Sequence, residues 1–151
     1  MPTRKPQQAW LKNIVVFACL FACFILVERQ VNTYLGQRAI AENGLAQISF
    51  TEALQRAQRE QKPIVANFSA LWCAACRRLE NGLLKQTSVH DSLNNDVIYV
   101  RLEETDDAHS ALFSQYKIRQ LPTLILLDPQ GKPIRTLDHQ LSAEQFIEQF
   151  N

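Results

Sequence analysis

Hydrophobic positions in this chain form one uninterrupted run near the N-terminus and shorter runs, separated by polar turns, from there onward. The long run covers residues 14–27 and carries no charged side chain. Arg4, Lys5 and Lys12 precede it, and Glu28 follows it. A basic stretch followed by an apolar one is typical of an export signal. Positive charge ahead of the run also predicts that the N-terminus stays in the cytoplasm.

The surroundings of this run favour a retained anchor over a removed signal peptide. A signal peptidase requires small residues soon after the apolar core, and the nearest such pair, Ala39 and Ala41, lies far downstream. The run is shorter than the ~20 residues that cross a bilayer, but Trp10 and Tyr34 can extend it into the two interfaces. Cleavage of the segment is the alternative that the sequence leaves open.

The remaining pattern predicts a single domain in which strands and helices alternate. We expect a cytoplasmic tail and signal anchor over 1–35, a linker over 36–46 and the domain over 47–151. Strands are predicted over 47–50, 64–68, 97–102, 123–127 and 134–137, and helices over 51–62, 73–85, 89–93, 107–116 and after Ser142. This order predicts an α/β domain with a central sheet flanked by helices, and the final hairpin makes the sheet mixed.

Composition and charge narrow the possible functions. The chain is 46% hydrophobic and 21% charged, which is ordinary for a globular protein. Its formal net charge is +1, and it shows no concentrated basic segment of the kind that binds nucleic acid. Four cysteines are too few for a disulfide-stapled scaffold. Cys19 and Cys23 lie in the apolar run and are interpreted as small apolar residues of a membrane helix rather than as a redox pair.

Cys73 and Cys76 are the candidate reactive pair. They stand where a buried strand is predicted to turn into a helix, with Cys73 at the helix N-terminus. A disulfide exchanger attacks as a thiolate, and a helix N-terminus favours negative charge there. Arg77 adds a positive charge in the first helical turn. Cys76 lies on the same helix face and can resolve a mixed disulfide formed at Cys73.

The Cys-x-x-Cys motif has two other possible interpretations. A zinc site would require two further ligands, and no second Cys-x-x-Cys or paired histidines accompany it, so we predict no metal. A structural disulfide without turnover is the second alternative. The position between strand and helix favours a redox site over both.

Two segments resemble the signatures of thioredoxins. Residues 67–77 are similar to their active-site segment, and residues 116–123 are similar to their loop with a cis proline before a strand. The two occur in the expected order, and the resemblance covers about 47–151. Within the thioredoxin-like superfamily, the chain is most similar to the C-terminal periplasmic domain of DsbD-type thiol:disulfide interchange proteins. Trp72, Arg77 and Glu80 around the cysteines support that similarity.

The resemblance implies a thioredoxin-like fold and specific roles for several residues. Pro122 should follow a cis peptide bond and lie against the cysteines, although a trans proline at the start of a strand is the alternative. The backbone of Leu121 should pair with an extended substrate, and Trp72 should pack beside the cysteines. No cofactor is implied beyond the redox-active Cys73–Cys76 disulfide.

Asn67 departs from the family pattern, in which a buried aspartate relays a proton to or from the resolving cysteine. An asparagine cannot ionise. Glu80 lies four residues after Cys76 on the same helix face and could transfer the proton instead. It could equally be a solvated helix residue, and the sequence does not separate the two.

These observations predict a membrane-anchored, extracytoplasmic thiol–disulfide oxidoreductase of the inner membrane that passes electrons to protein disulfides. Its expected partners are protein thiols or disulfides outside the cytoplasm and a membrane electron donor. The alternative is a tethered thioredoxin-fold chaperone or adaptor without redox turnover. The direction of electron flow depends on a reduction potential that the sequence does not specify.

Overall fold

The computed structural model describes residues 6–150. Outside this range lie Arg4 and Lys5, two of the basic residues ahead of the apolar run, and the last residue of the predicted domain. The first element, α1, is one helix over Pro6–Asn43. Its most apolar 18-residue window has a mean hydropathy of 2.3, and none of the residues in that window is buried. Within the described residues, α1 alone is long and apolar enough to cross a membrane, judged by length and composition.

A four-stranded mixed sheet forms the centre of the domain. Its order is β2-β1-β3-β4, with β1 parallel to β2 and antiparallel to β3, and with β4 antiparallel to β3. Every residue of β1 is buried, as expected for a central strand covered on both faces. The strands are β1 (Ile64–Ser69), β2 (Ile98–Glu103), β3 (Thr123–Leu127) and β4 (Pro133–Leu137).

Helices cover both faces of this sheet. On one face, α3, α4 and α6 bury an apolar cluster that includes Leu84 and Phe146. On the other, α2 and α5 cover a second cluster, in which the rings of Phe68 and Phe113 meet edge to face at 5.0 Å. The helices are α2 (Phe50–Glu60), α3 (Ala74–Asn81), α4 (Thr87–Asn95), α5 (Asp107–Gln115) and α6 (Ala143–Glu148). The predicted α/β class with a mixed sheet is confirmed.

The strand predicted over residues 47–50 is wrong. Residues 47–49 have no regular structure, and Phe50 is the first residue of α2. The Ser49 hydroxyl accepts a hydrogen bond from the backbone N–H of Glu52 at 3.1 Å, so Ser49 caps the helix, which begins one residue before the predicted start at residue 51. This cap supplies one of the partners that a helix N-terminus lacks, and it favours the helix over a strand here.

The segment predicted as a linker over 36–46 also differs from the expectation. Residues 36–43 are the last two turns of α1, and they pack against α3. Gly36, Ala39 and Asn43 are buried in this contact. Because they lie three and four residues apart, they share one helix face, and its burial stabilises helix where the polar composition predicts a linker. The division of the chain into anchor, linker and domain stays a prediction.

Candidate redox site

Cys73 and Cys76 lie at the start of α3, directly after the turn that follows β1. Cys73 is the N-cap residue, and its sulfur accepts the backbone N–H of Cys76 at 3.1 Å. The two side chains form a disulfide with their Cα atoms 5.2 Å apart. Cys73 is 6% exposed and Cys76 is 1% exposed. The position at the helix N-terminus therefore stabilises a thiolate at Cys73, which is also the more accessible of the two.

A groove of about 330 Å³ opens beside Cys73. Its lining includes Trp72, Phe113 and the loop that ends at Leu121. The indole N–H of Trp72, a residue that is 43% exposed, donates to Glu104 at 3.2 Å and orients the ring. Leu121 also packs against the two cysteines. The groove thus connects Cys73 with the protein surface.

The Leu121–Pro122 peptide bond is cis, in agreement with the expectation from the resemblance. It lies directly before β3, which pairs with β1 in the middle of the sheet. The loop is consequently anchored to the strand that leads into the cysteines. Thr123 closes it, because its hydroxyl donates to the carbonyl oxygen of Gln120 at 2.8 Å.

Glu80 is buried inside the domain, with 3% of its side chain exposed. Its Oε1 atom accepts from Arg101 Nε at 3.2 Å and from Asn67 Nδ2 at 3.3 Å. Its Oε2 atom accepts from Asn43 Nδ2 on α1. Burial raises the pKa of Glu80, and the charge of Arg101 opposes that rise only in part. The alternative that Glu80 is a solvated helix residue is excluded by this burial.

Asn67 connects the buried carboxyl group to β2. Its amide nitrogen donates to the Tyr99 hydroxyl at 2.9 Å as well as to Glu80. Its Oδ1 atom is buried without a hydrogen-bond partner within the described residues. Burial raises the pKa of Tyr99, and the nearby charge of Glu80 raises it further, so Tyr99 stays protonated. Glu80 is therefore the acid that can ionise next to Asn67 in this cluster.

Arg101 extends the same network to the active-site turn. It donates to Glu103 Oε2 at 2.9 Å and to the Ser69 hydroxyl at 3.1 Å. Glu103 in turn accepts the backbone N–H of Leu71 at 3.0 Å. The turn before the cysteines is therefore tied to the buried charges behind them. Sequence reasoning missed Arg101 and Glu103, although charged residues within an otherwise apolar strand indicate that they have partners.

Comparison with known proteins identifies the family. A sequence profile described as a thioredoxin-like domain matches residues 50–151. The chain belongs to the thioredoxin-like family. The predicted resemblance is thereby confirmed.

Individual relatives agree with this assignment. A thioredoxin-like protein of Synechocystis is 33% identical over 88 residues, which cover 58% of this chain and 78% of that protein. The thiol:disulfide interchange protein DsbD of Yersinia pestis is 25% identical over 154 residues, covering 95% of this chain and 26% of DsbD. The chain thus spans about a quarter of the length of that DsbD protein, to which it is distantly homologous.

Solved structures show the same fold. The C-terminal domain of Neisseria meningitidis DsbD in its reduced form is 26% identical with a TM-score of 0.55, covering 66% of this chain and 90% of that domain. A thioredoxin from Thermus thermophilus is 18% identical with a TM-score of 0.61, covering 70% and 84% of the two chains, and supports the fold alone. The thioredoxin-like domain with its Cys73–Cys76 pair is consistent with a thiol–disulfide oxidoreductase.

The remaining predicted residues lie apart from this centre. Arg77 donates to Asn32 Oδ1 on α1 at 3.1 Å, so its guanidinium group has a partner on that helix. Cys19 and Cys23 are exposed on α1 and form no disulfide. Across residues 6–150, no group of three or more His, Cys, Asp or Glu side chains could hold a metal ion. The roles of the individual site residues stay predictions.

Proposed function

We propose that this chain is a membrane-anchored thiol–disulfide oxidoreductase that reduces, or passes electrons to, protein disulfides outside the cytoplasm. The observation that carries the proposal is the Cys73–Cys76 disulfide at the N-terminus of α3, with Cys73 open to a groove. The relatives named as thiol:disulfide interchange proteins support this class of reaction.

The reaction starts from the reduced dithiol. The Cys73 thiolate attacks one sulfur of a partner disulfide, forms a mixed disulfide and releases the first partner thiolate, which takes up a proton. Cys76 then loses its proton, and its thiolate attacks the Cys73 sulfur. The Cys73–Cys76 disulfide forms and the second partner thiolate leaves and is protonated. Two electrons pass to the partner, and a dithiol donor restores the domain by the reverse steps.

Glu80 is proposed to accept the proton of Cys76. It lies one helical turn beyond Cys76, and burial raises its pKa toward the range in which it can exchange a proton. Asn67 cannot ionise and instead donates a hydrogen bond to the same carboxyl group. In this chain the carboxyl group that serves the resolving cysteine would therefore come from the active-site helix rather than from the central strand.

Leu121 and Pro122 are proposed to bind the partner. Leu121 borders the groove in the bend just before β3, and its backbone would pair with a peptide segment there. Trp72 also lines the groove and provides an exposed aromatic surface there. Protein disulfides on flexible segments fit this groove better than small thiols do, because they can form backbone hydrogen bonds.

The proposed location is the inner membrane, with a single span and the domain on its periplasmic side. The apolar exposed part of α1 and the basic residues ahead of it support an uncleaved anchor of this orientation. A dithiol donor within the membrane would then lie close to the site. The exchange with a partner disulfide needs no cofactor beyond the cysteine pair. The dithiol donor is needed only to restore the reduced form of that pair.

Reduction of insulin by the full chain in detergent, with dithiothreitol as donor, tests the proposal. Cys73→Ala should lower the rate to that of dithiothreitol alone, because no mixed disulfide can form at residue 73. The control is Cys19→Ala/Cys23→Ala, which removes the other cysteine pair and should retain the wild-type rate. Turnover that survives Cys73→Ala, or wild-type binding of unfolded insulin without reduction, would favour a chaperone or adaptor instead.

A further inference from the structure

The C-terminal part of α1 forms a wall of the redox domain. Asn32, Gly36, Ala39 and Asn43 share one face of this helix, and Ala39 and Asn43 are only 2% and 3% exposed. A buried alanine has no polar side-chain group that needs a partner, whereas a buried asparagine requires hydrogen-bond partners. The partners of Asn43 therefore indicate what this end of the helix contributes.

Both the oxygen and the nitrogen of the Asn43 side-chain amide form hydrogen bonds. Its Oδ1 atom accepts the backbone N–H of Leu45 at 2.9 Å, just past the helix end. Gly44 makes this turn possible with a φ of +71°, a value that residues with a Cβ rarely adopt. Because Oδ1 is held by the backbone, the NH₂ group must point the other way, where it donates to Glu80 Oε2. The chain thus fixes a hydrogen-bond donor, and not an acceptor, against the buried carboxyl group.

The other groups around Glu80 act on its second oxygen. Arg101 and Asn67 both donate to Oε1, while Tyr99 contacts Asn67 and Glu103 pairs with Arg101. In the described part of the chain, the hydrogen bond to Oε2 comes from Asn43. Removal of that donor leaves Arg101 and Asn67 on Oε1 and leaves Oε2 as a buried oxygen without a donor.

We propose that Asn43 is a positioning residue that holds Glu80 in the orientation and charge state needed to take the proton of Cys76, so that α1 completes the redox site. This inference rests on the proposed function of Glu80. It makes the last turn of α1, the helix proposed to be the membrane anchor, part of the redox site. A domain cut after α1 would lack a group that the resolving step uses.

The test measures the resolving step by itself. In a Cys19→Ala/Cys23→Ala background, the reduced full chain in detergent reacts with the aromatic disulfide DTNB in two phases. Cys73 attacks first and releases one thionitrobenzoate, and Cys76 then attacks Cys73 and releases the second. The rate of the second phase as a function of pH reports the proton transfer, and the first phase reports the integrity of the active-site turn.

Asn43→Asp keeps the acceptor for Leu45 but replaces the donor by a second carboxyl group. Two carboxyl groups in contact raise the pKa of one of them. We expect the midpoint of the second phase to move upward by about one pH unit or more, with the first phase unchanged. Asn43→Ala removes the donor without added charge and should move the midpoint in the same direction by less. The matched control is Gln37→Glu, which adds the same charge on the exposed face of α1 and should change neither phase.

Glu80→Gln distinguishes failure of this inference from failure of the proposed function. If Glu80→Gln shifts or abolishes the pH dependence and both Asn43 variants match the wild type, Asn43 does not position Glu80. If Glu80→Gln also leaves the second phase unchanged, the proton role of Glu80 is refuted. In Asn43→Asp/Glu80→Gln, the shift caused by Asn43→Asp should disappear, because Asn43 acts through Glu80. Equal slowing of both phases would mean a distorted turn and would overturn the proposal.

Discussion

Replacement of Gly36 by alanine tests whether α1 is seated against the active-site turn. A Cβ at this position would lie 3.0 Å from the carbonyl carbon of Leu71 and 3.1 Å from its Cα, and closer still to its carbonyl oxygen. Backbone atoms cannot rotate away as the end of a side chain can. Either α1 or the turn before Trp72 and Cys73 must therefore move.

Two opposing effects set the magnitude. Alanine in place of glycine within an unhindered helix stabilises by about 1 kcal/mol. Overpacking of a well-packed contact costs about 1–3 kcal/mol. Their sum predicts that Gly36→Ala lowers the free energy of unfolding by between about 0 and 2 kcal/mol, instead of raising it. A lower free energy of unfolding would therefore indicate the close contact with Leu71, and a higher one would indicate an unhindered helix.

Urea unfolding of the full chain in detergent, followed by tryptophan fluorescence, measures this change. Each kcal/mol should move the urea midpoint by roughly 0.3–1 M, given the usual slopes for domains of this size. Gln37→Ala, at the next and exposed position, is the control and should stay within about 0.5 kcal/mol of the wild type. A Gly36→Ala chain that is about 1 kcal/mol more stable than the wild type would refute the contact between α1 and Leu71.

Three further predictions concern reactivity, pH and topology. Limited alkylation of the reduced protein should label Cys73 well before Cys76, as peptide mapping would show, and equal labelling would contradict the assigned roles. Burial raises the pKa of Glu80 above its ordinary 4.5, so the folded state holds that proton more tightly than the unfolded state. As pH rises from 4.5 to 7, the wild type should lose stability relative to Glu80→Gln in urea titrations, and parallel curves would argue against a buried, titrating Glu80. Full-length protein should stay in the membrane after a carbonate wash and keep its N-terminus, whereas a soluble chain that begins after Val27 would identify a cleaved signal.

Much of the fold could be predicted because its signals are local. The last helix begins after Ser142 as predicted, with a capping box formed by Ser142 and Gln145, and β3 has the predicted bounds. The prediction failed over residues 47–50, where four residues of mixed polarity are too few to separate a strand from a helix cap. It also failed at the end of α1, because the burial that makes that segment helical is supplied by α3.

The candidate site likewise contains residues that the sequence predicts and contacts that it does not. Cys73, Cys76 and the cis bond before Pro122 belong to contiguous motifs, so the sequence was sufficient to find them. The polar network behind them joins residues that are far apart in the chain. Asn43 is 37 residues from Glu80, and Arg101 is 21 residues from it. Such contacts depend on how helices and strands pack, which no local pattern encodes.

The continuity of α1 determines how the domain could meet its partners. At 1.5 Å per residue, its 38 residues form a rod of about 57 Å with no flexible joint between the apolar segment and the docked end. Trp72 borders a cavity with Ile25 and Arg29, so the groove beside Cys73 lies near the level at which the apolar segment ends. A flexible linker would let the site search a volume around its attachment point. As the proposed membrane anchor, a rigid helix would fix the height of the site above the bilayer and the direction that the site faces. Encounters would then depend on lateral diffusion in two dimensions, and disulfides presented at that height would be selected before any side chain recognises them.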